Sequence, residues 1–176
     1  MNITEFTNAQ IVSEDLPAAE EIRFEKLEPK MIKADIISSL IFFGILSALV
    51  FILGLIPIDW VAKHQWIIII FMSSVFLLSI LINIISYKYK SYAIRSHDVS
   101  YCSGIIFRTT IAIPFNRVQH CEISQGPLER IFNLVTLKVF TAGGSNSDLQ
   151  IPGLYKDHAE VIKGFILRKS GIDEEE

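Results

Sequence analysis

The run His120-Cys121-Glu122 is the densest group of potential ligands and nucleophiles in this chain. A zinc site, or a cysteine nucleophile with its base, needs several such side chains to converge. On an extended strand successive side chains point to opposite faces. His120 and Glu122 would then share a face with Cys121 turned away, and two ligands do not make a zinc site. His64, His97 and His158 are scattered, and Cys102 stands at no metal-motif spacing from Cys121. Both cysteines read as small buried strand residues. Gly143-Gly144-Ser145 suggests a phosphate cradle, but it separates two strand-like runs, so the helix N-terminus that would complete an anion site is missing. It reads as a turn. The chain contains no GxSxG, HExxH, GxxxxGK[ST] or paired-cysteine motif. The expectation is a protein without catalytic, metal or cofactor sites, and not an enzyme.

Recognition of an anionic headgroup is the second chemistry to weigh. Arg108, Arg117 and Arg130 flank turn-like segments and could meet at one end of a small domain. The competing reading pairs them with Glu122, Glu129 or backbone carbonyls. Lys88 and Lys90 follow an apolar stretch, where each lysine adds about 1 kcal/mol of attraction to anionic lipid. The candidate lipid contacts are therefore Arg108, Arg117, Arg130, Lys88 and Lys90. With 16 basic against 19 acidic residues and no concentrated basic face, nucleic acid is excluded as a partner.

Two elements must position these groups. Residues 36–56 and 66–85 carry no charge, and about 20 helical residues cross the ~30 Å hydrocarbon core. Only Pro57 to Gln65 separate them, so the chain crosses and returns as a hairpin over 36–86, with spans at 36–56 and 66–86. Gly44, Ser47, Ala48, Ser73 and Ser74 are small enough to let helices approach closely. Asn83 is the one strongly polar side chain, near a helix end where an amide is easily solvated. Residues 1–35 hold eight acids and four bases; 1–21 read as a mobile tail and not a secretory signal, and 22–35 as an interfacial lead-in. Arg23, Lys26, Lys30 and Lys33 precede the first span and Lys88, Lys90 and Arg95 follow the second, against Lys63 alone in the loop. The positive-inside rule then puts both termini in the cytoplasm of a multi-pass inner-membrane protein. Trp60 and Trp66 mark the outer interface, and Tyr87, Tyr89 and Tyr92 the inner one.

After Tyr87 the pattern shortens to strands: YKSYAIRS, VSYCSGIIF with a bend at Gly104, TTIAIP ended by Pro114, and RVQHCEIS, whose mixed face suggests an edge or a bulge. GPLERIFN reads as one helical turn ending in a left-handed Asn133. LVTLKVFTA and DLQIP form the next pair. YKDHAEVIKGFILRKSG is a helix with Asp157 and Glu160 at capping-box spacing, an apolar face of Leu154, Val161, Ile162, Phe165 and Ile166, and a stop at Gly171. Residues 172–176 form an acidic tail. Short antiparallel strands closed by one amphipathic helix make an α+β pleckstrin-homology-like (PH-like) domain over 87–171.

The ordered series Tyr92-Ala93-Ile94, Ser103-Gly104-Ile105-Ile106, Ile113-Pro114, Arg117-Val118-Gln119, Gln125 to Arg130, Phe140 to Gly144 and Ile151 to Leu154 resembles the bacterial membrane-anchored PH-like proteins of the YdbS type. Asn133 stands where that family usually has glycine. The resemblance implies a two-helix hairpin joined to a curled antiparallel sheet capped by a C-terminal helix. It also implies scaffolding near the cell envelope, with envelope maintenance or stress as a compatible setting. The expected function is a membrane-tethered scaffold or protein-interaction module. Its partners would be membrane lipids and a second copy or another membrane protein. Anionic headgroup binding and an accessory role in a membrane transporter complex are the alternatives.

Overall fold

The computed structural model describes residues 22–55, 59–142 and 148–171, with side chains omitted at 59–62. The tails 1–21 and 172–176, the Trp60 side chain and the turn around Gly143-Gly144-Ser145 lie outside that description.

Two helices, α1 (Lys30–Leu55) and α2 (Asp59–Tyr89), form the hairpin. Both are long and apolar enough to cross a membrane. Most of their large apolar side chains face outward, including Leu40, Phe42, Ile45, Ile70 and Phe71, as helices do when lipid is the solvent. The helices are longer than the spans expected from sequence. α1 begins six residues early, and α2 takes up most of the expected 57–65 loop, because residues 30–35 and 59–65 contain neither proline nor glycine. Near the α2 end Asn83 donates to Ser39 Oγ at 3.4 Å, and Ser39 in turn donates to the Asp35 carbonyl. Ser73 and Ser74 bond to carbonyls four residues back, and a Cβ at Gly44 would meet nothing within 4 Å. Gly44, Ser47 and Ser73 line a crevice between the helices, and at Gly44 the backbones are not in close contact.

The domain has two antiparallel sheets. One runs β1 (Glu25–Lys26), β2 (Ser91–Ile94), β3 (Asp98–Ser103), β4 (Thr109–Pro114); the other runs β5 (Val118–Ser124), β6 (Leu134–Thr141), β7 (Leu149–Tyr155). A 3-10 turn at Phe115–Arg117 carries the chain from the first sheet to the second. α3 (Pro127–Ile131) links β5 to β6, and α4 (Lys156–Ser170) packs on β5, β6 and β7. Val99, Leu137, Val139, Ile151 and Ile166 fill the shared core. Burying each such side chain contributes about 1.5–3 kcal/mol.

β5 is an edge strand with a register shift between Val118 and His120. The bulge puts Val118 on the same buried side as Cys121, whereas strict alternation had placed it with His120 and Glu122. A second shift, between Val135 and Leu137, lets Leu134 and Val135 both reach the core. Asn133 has φ 55, the left-handed conformation expected of it. In α3 the Glu129 carboxylate accepts from the Gly126 amide (2.7 Å) and from Thr136 Oγ1 (2.8 Å), holding the short helix to β6.

Two expectations for α4 fail. β7 passes into the helix with no linker, so Tyr155 takes the cap position and no side chain caps it. Asp157 lies inside the first turn, where it complements the helix dipole without capping. The buried face is Ala159, Ile162, Ile166 and Leu167, while Val161 is exposed and Leu154 belongs to β7. Gly171 ends the helix at φ 75.

The segment before the hairpin is part of the sheet. Glu25 pairs with Tyr92 and Lys26 with Ser91. Leu27 is only 2% exposed and sits in the core beside Met31. The Glu28 amide donates to the Gly153 carbonyl at 3.1 Å, the Tyr87 hydroxyl to the Leu27 carbonyl at 2.6 Å, and Lys30 lies over the Tyr155 ring. Residues 25–31 thus form a seam between hairpin and sheet, where the sequence had suggested an interfacial lead-in.

Candidate functional site

β2 leaves the end of α2 after a single intervening residue, Lys90. β3 runs antiparallel to β2 with Cys102 opposite Ser91, so it returns toward the end of α2. The β3–β4 turn, residues 104–108, therefore stands at the hairpin end of the sheet, and the β2–β3 turn, residues 95–97, at the far end. α3 lies at the hairpin end too. Gly126 to Glu129 share a cleft with Ala34, Asp35 and Ser38 of α1, and Asp35 lies within electrostatic range of Lys90 and Glu129.

This topology decides which predicted cations can meet. Arg108 precedes β4 and Arg117 follows it, so the six-residue strand holds them about 17 Å apart. Arg117 and Arg130 are likewise at opposite ends of β5. Convergence of the three arginines at one end is not what the register gives. All three are exposed, and Lys88 is exposed while Lys90 is half-buried. The acids proposed as their partners are otherwise engaged: Glu122 pairs with Lys138 at 3.5 Å and Glu129 bonds Gly126 and Thr136. Lys88, Lys90 and Arg108 share the hairpin end. At the far end Arg95 Nε donates to Asp98 Oδ1 at 2.7 Å and its second nitrogen bonds Oδ2, a forked pair that occupies the guanidinium.

His120 is stacked on its cross-strand partner Phe140, with ring centroids 4.2 Å apart, on the exposed side of β5. Cys121 is buried, and burial pushes its thiol up to about 11, against a smaller opposing pull from Lys163. A thiol so disposed is poorly nucleophilic at neutral pH. Among the described residues no three His, Cys, Asp or Glu side chains come close enough to hold a metal ion. Tyr92 is not at the membrane interface: it is buried, its hydroxyl donates to Glu25 at 2.9 Å, and burial and that carboxylate both raise its pKa. Asp148 accepts from the Thr141 amide (2.8 Å) and hydroxyl (2.6 Å), which hold its carboxyl below the ordinary range.

A PH-like sheet is expected to have exposed edges that can take up a peptide, but sequence reasoning did not place the edge most suited to interaction. β4 ends its sheet, and Thr109, Thr110, Ile111 and Ala112 are exposed on both faces. The unpaired backbone groups of such an edge can accept a strand from another chain. Two cues were present: a β-branched run, and a glycine that interrupts the strand before it.

A model of the bacterial PH domain family matches residues 40–170. The UPF0699 transmembrane protein YdbS of Bacillus subtilis is 33% identical over 92 residues, covering 52% of this chain and 56% of that protein. The chain thus spans about half the length of the curated relative it matches. A crystal structure of a DUF1696 family protein with a pleckstrin-homology domain from Shewanella loihica superposes with a TM-score of 0.36 at 15% identity, over 46% of this chain and 70% of that one, too loosely to carry an argument. The family match takes in most of both helices, all of β2 to β7 and all of α4: this membrane protein belongs to the bacterial PH domain family.

Proposed function

We propose that the protein is a non-enzymatic, membrane-tethered interaction module that pairs with another polypeptide at the cytoplasmic face of the inner membrane. The exposed β4 edge carries this reading. A partner strand added there gains main-chain hydrogen bonds, and tethering confines both partners to a thin layer, which raises their effective concentration. A second copy of the chain is one such partner. The test is native mass spectrometry of full-length protein released from native membranes. A discrete homo-oligomer or a bound second protein, lost in a Thr110→Lys, Ala112→Lys variant, supports the reading. Lysines on an edge oppose strand addition. A monomer in both proteins refutes it.

The cytoplasmic placement rests on the basic residues flanking the hairpin. Protease added outside intact cells then leaves a C-terminal tag intact, and its rapid loss would reverse the topology. A second reading, contact with anionic lipid, is favoured by Lys88, Lys90 and Arg108 standing at the hairpin end. A monomer carrying a defined anionic lipid, released when these three are changed to glutamine, would favour it. Arg117, at the far end, is expected to matter least.

A further inference from the structure

The β3–β4 turn is built to present apolar side chains. Ile106 and Phe107 are each 86% exposed, with Ile105 partly exposed beside them. The turn has a fixed shape: Gly104 has φ +107, and a Cβ there would collide with the Phe107 carbonyl oxygen. Only glycine fits. Neither the Ile106 nor the Phe107 side chain belongs to the core, and both stand where β3 has returned to the end of α2.

We propose that this turn is a third membrane contact, with Ile106 and Phe107 inserted into the interface of the bilayer that the hairpin spans and Arg108 at its phosphates. Three observations select lipid as the occupant. The register sets the turn level with the end of α2, at the end of the domain from which the helices' exposed apolar side chains extend. The order of residues, apolar then basic, matches the order of layers met on leaving a bilayer. On the same end α3 exposes Ile131 (73%) beside Arg130, a similar pairing next to the start of α1. Anchored at the hairpin and at this turn, β4 would start at the membrane surface and run away from it, with its open edge facing partners beside the domain. The inference does not depend on what binds that edge.

The test uses full-length protein in nanodiscs of phosphatidylethanolamine and phosphatidylglycerol. A nitrobenzoxadiazole fluorophore is placed at Ile106→Cys, and at His97→Cys in the far turn as reference; Cys102 and Cys121 are buried and stay unlabelled in folded protein. The expected result is a blue-shifted emission at position 106, quenched by lipid-borne nitroxide and several-fold less sensitive to aqueous iodide than at 97. Equal iodide quenching at both positions overturns the proposal. So does a probe shielded from iodide yet untouched by nitroxide, which would mean that protein covers the turn. Phe107→Cys provides the same reading should Ile106→Cys label poorly.

Discussion

Replacing Gly153 with alanine tests the seam that fixes the entry of α1 to the domain. Gly153 has φ +67, and a Cβ there would lie 2.7 Å from Met31 Sδ and 3.1 Å from Met31 Cβ and Cγ. The left-handed backbone costs an alanine about 1–2 kcal/mol. Overpacking adds about 1–3 kcal/mol, because the thioether can swing aside but Met31 Cβ is held by its helix. The expected loss is about 2–5 kcal/mol. It is read as faster hydrogen exchange of the β6 and β7 amides in full-length protein, where about 2 kcal/mol corresponds to roughly a 30-fold acceleration of the slowest amides. Met31→Ala alone should cost about 2–5 kcal/mol. Combining the two removes the approaches to Sδ and Cγ and keeps the one to Cβ, so the double variant should fall short of the summed losses by about 1 kcal/mol. Strict additivity, or unchanged exchange in Gly153→Ala, would refute the contact.

Leu27→Ala should destabilise the domain by about 2–5 kcal/mol in a urea titration, although Leu27 precedes the hairpin in sequence; a loss under about 0.5 kcal/mol would mean the segment is not part of the core. The Ser100 hydroxyl is buried with no hydrogen-bond partner, so Ser100→Ala should leave the melting temperature unchanged or raise it, and a marked drop would reveal a bond the structure lacks. Cys121 has its pKa raised from 9.0 to about 11, and Tyr101 from 10.0 to about 12, both chiefly by burial. The folded state thus favours the neutral thiol while the unfolded chain ionises first, so the stability it contributes is full below about pH 9 and is lost as pH rises toward 11. Urea midpoints should fall over that window, less steeply in Cys121→Ala, and a flat profile to pH 11 would contradict the burial.

The hairpin was legible because uncharged apolar runs of span length are rare in soluble chains. The strands β2 to β7 and α4 were legible from alternation, turn residues and helical periodicity. What escaped depends on pairing between distant segments. Nothing in Glu25-Lys26 marks it as a strand, since its partner lies about 65 residues away beyond both helices. The arginines flank turns, as expected, but register decides which end of the sheet each turn occupies, and it separates Arg117 from the others. Ile105-Ile106-Phe107 read as the continuation of β3 because apolar strand and apolar turn share a composition; the backbone at Gly104 separates them. Strict alternation misplaced Val118 because a bulge, invisible to a period of two, falls next to it.

The pairing of β1 with β2 also sets an order on biosynthesis. Glu25, Lys26 and Leu27 leave the ribosome before either span, yet their neighbours in the core, Leu134 and Leu154 among them, are made more than a hundred residues later. The first segment of the domain waits, unpaired, until both helices and the rest of the sheet have been made. It can close the sheet only if the chain has returned to the side on which it started. A molecule that crossed once would keep an empty slot where Leu27 belongs and an uncovered β2 edge, both open to proteolysis. Completion of the domain therefore requires the hairpin to bring the chain back, a condition that folding itself imposes.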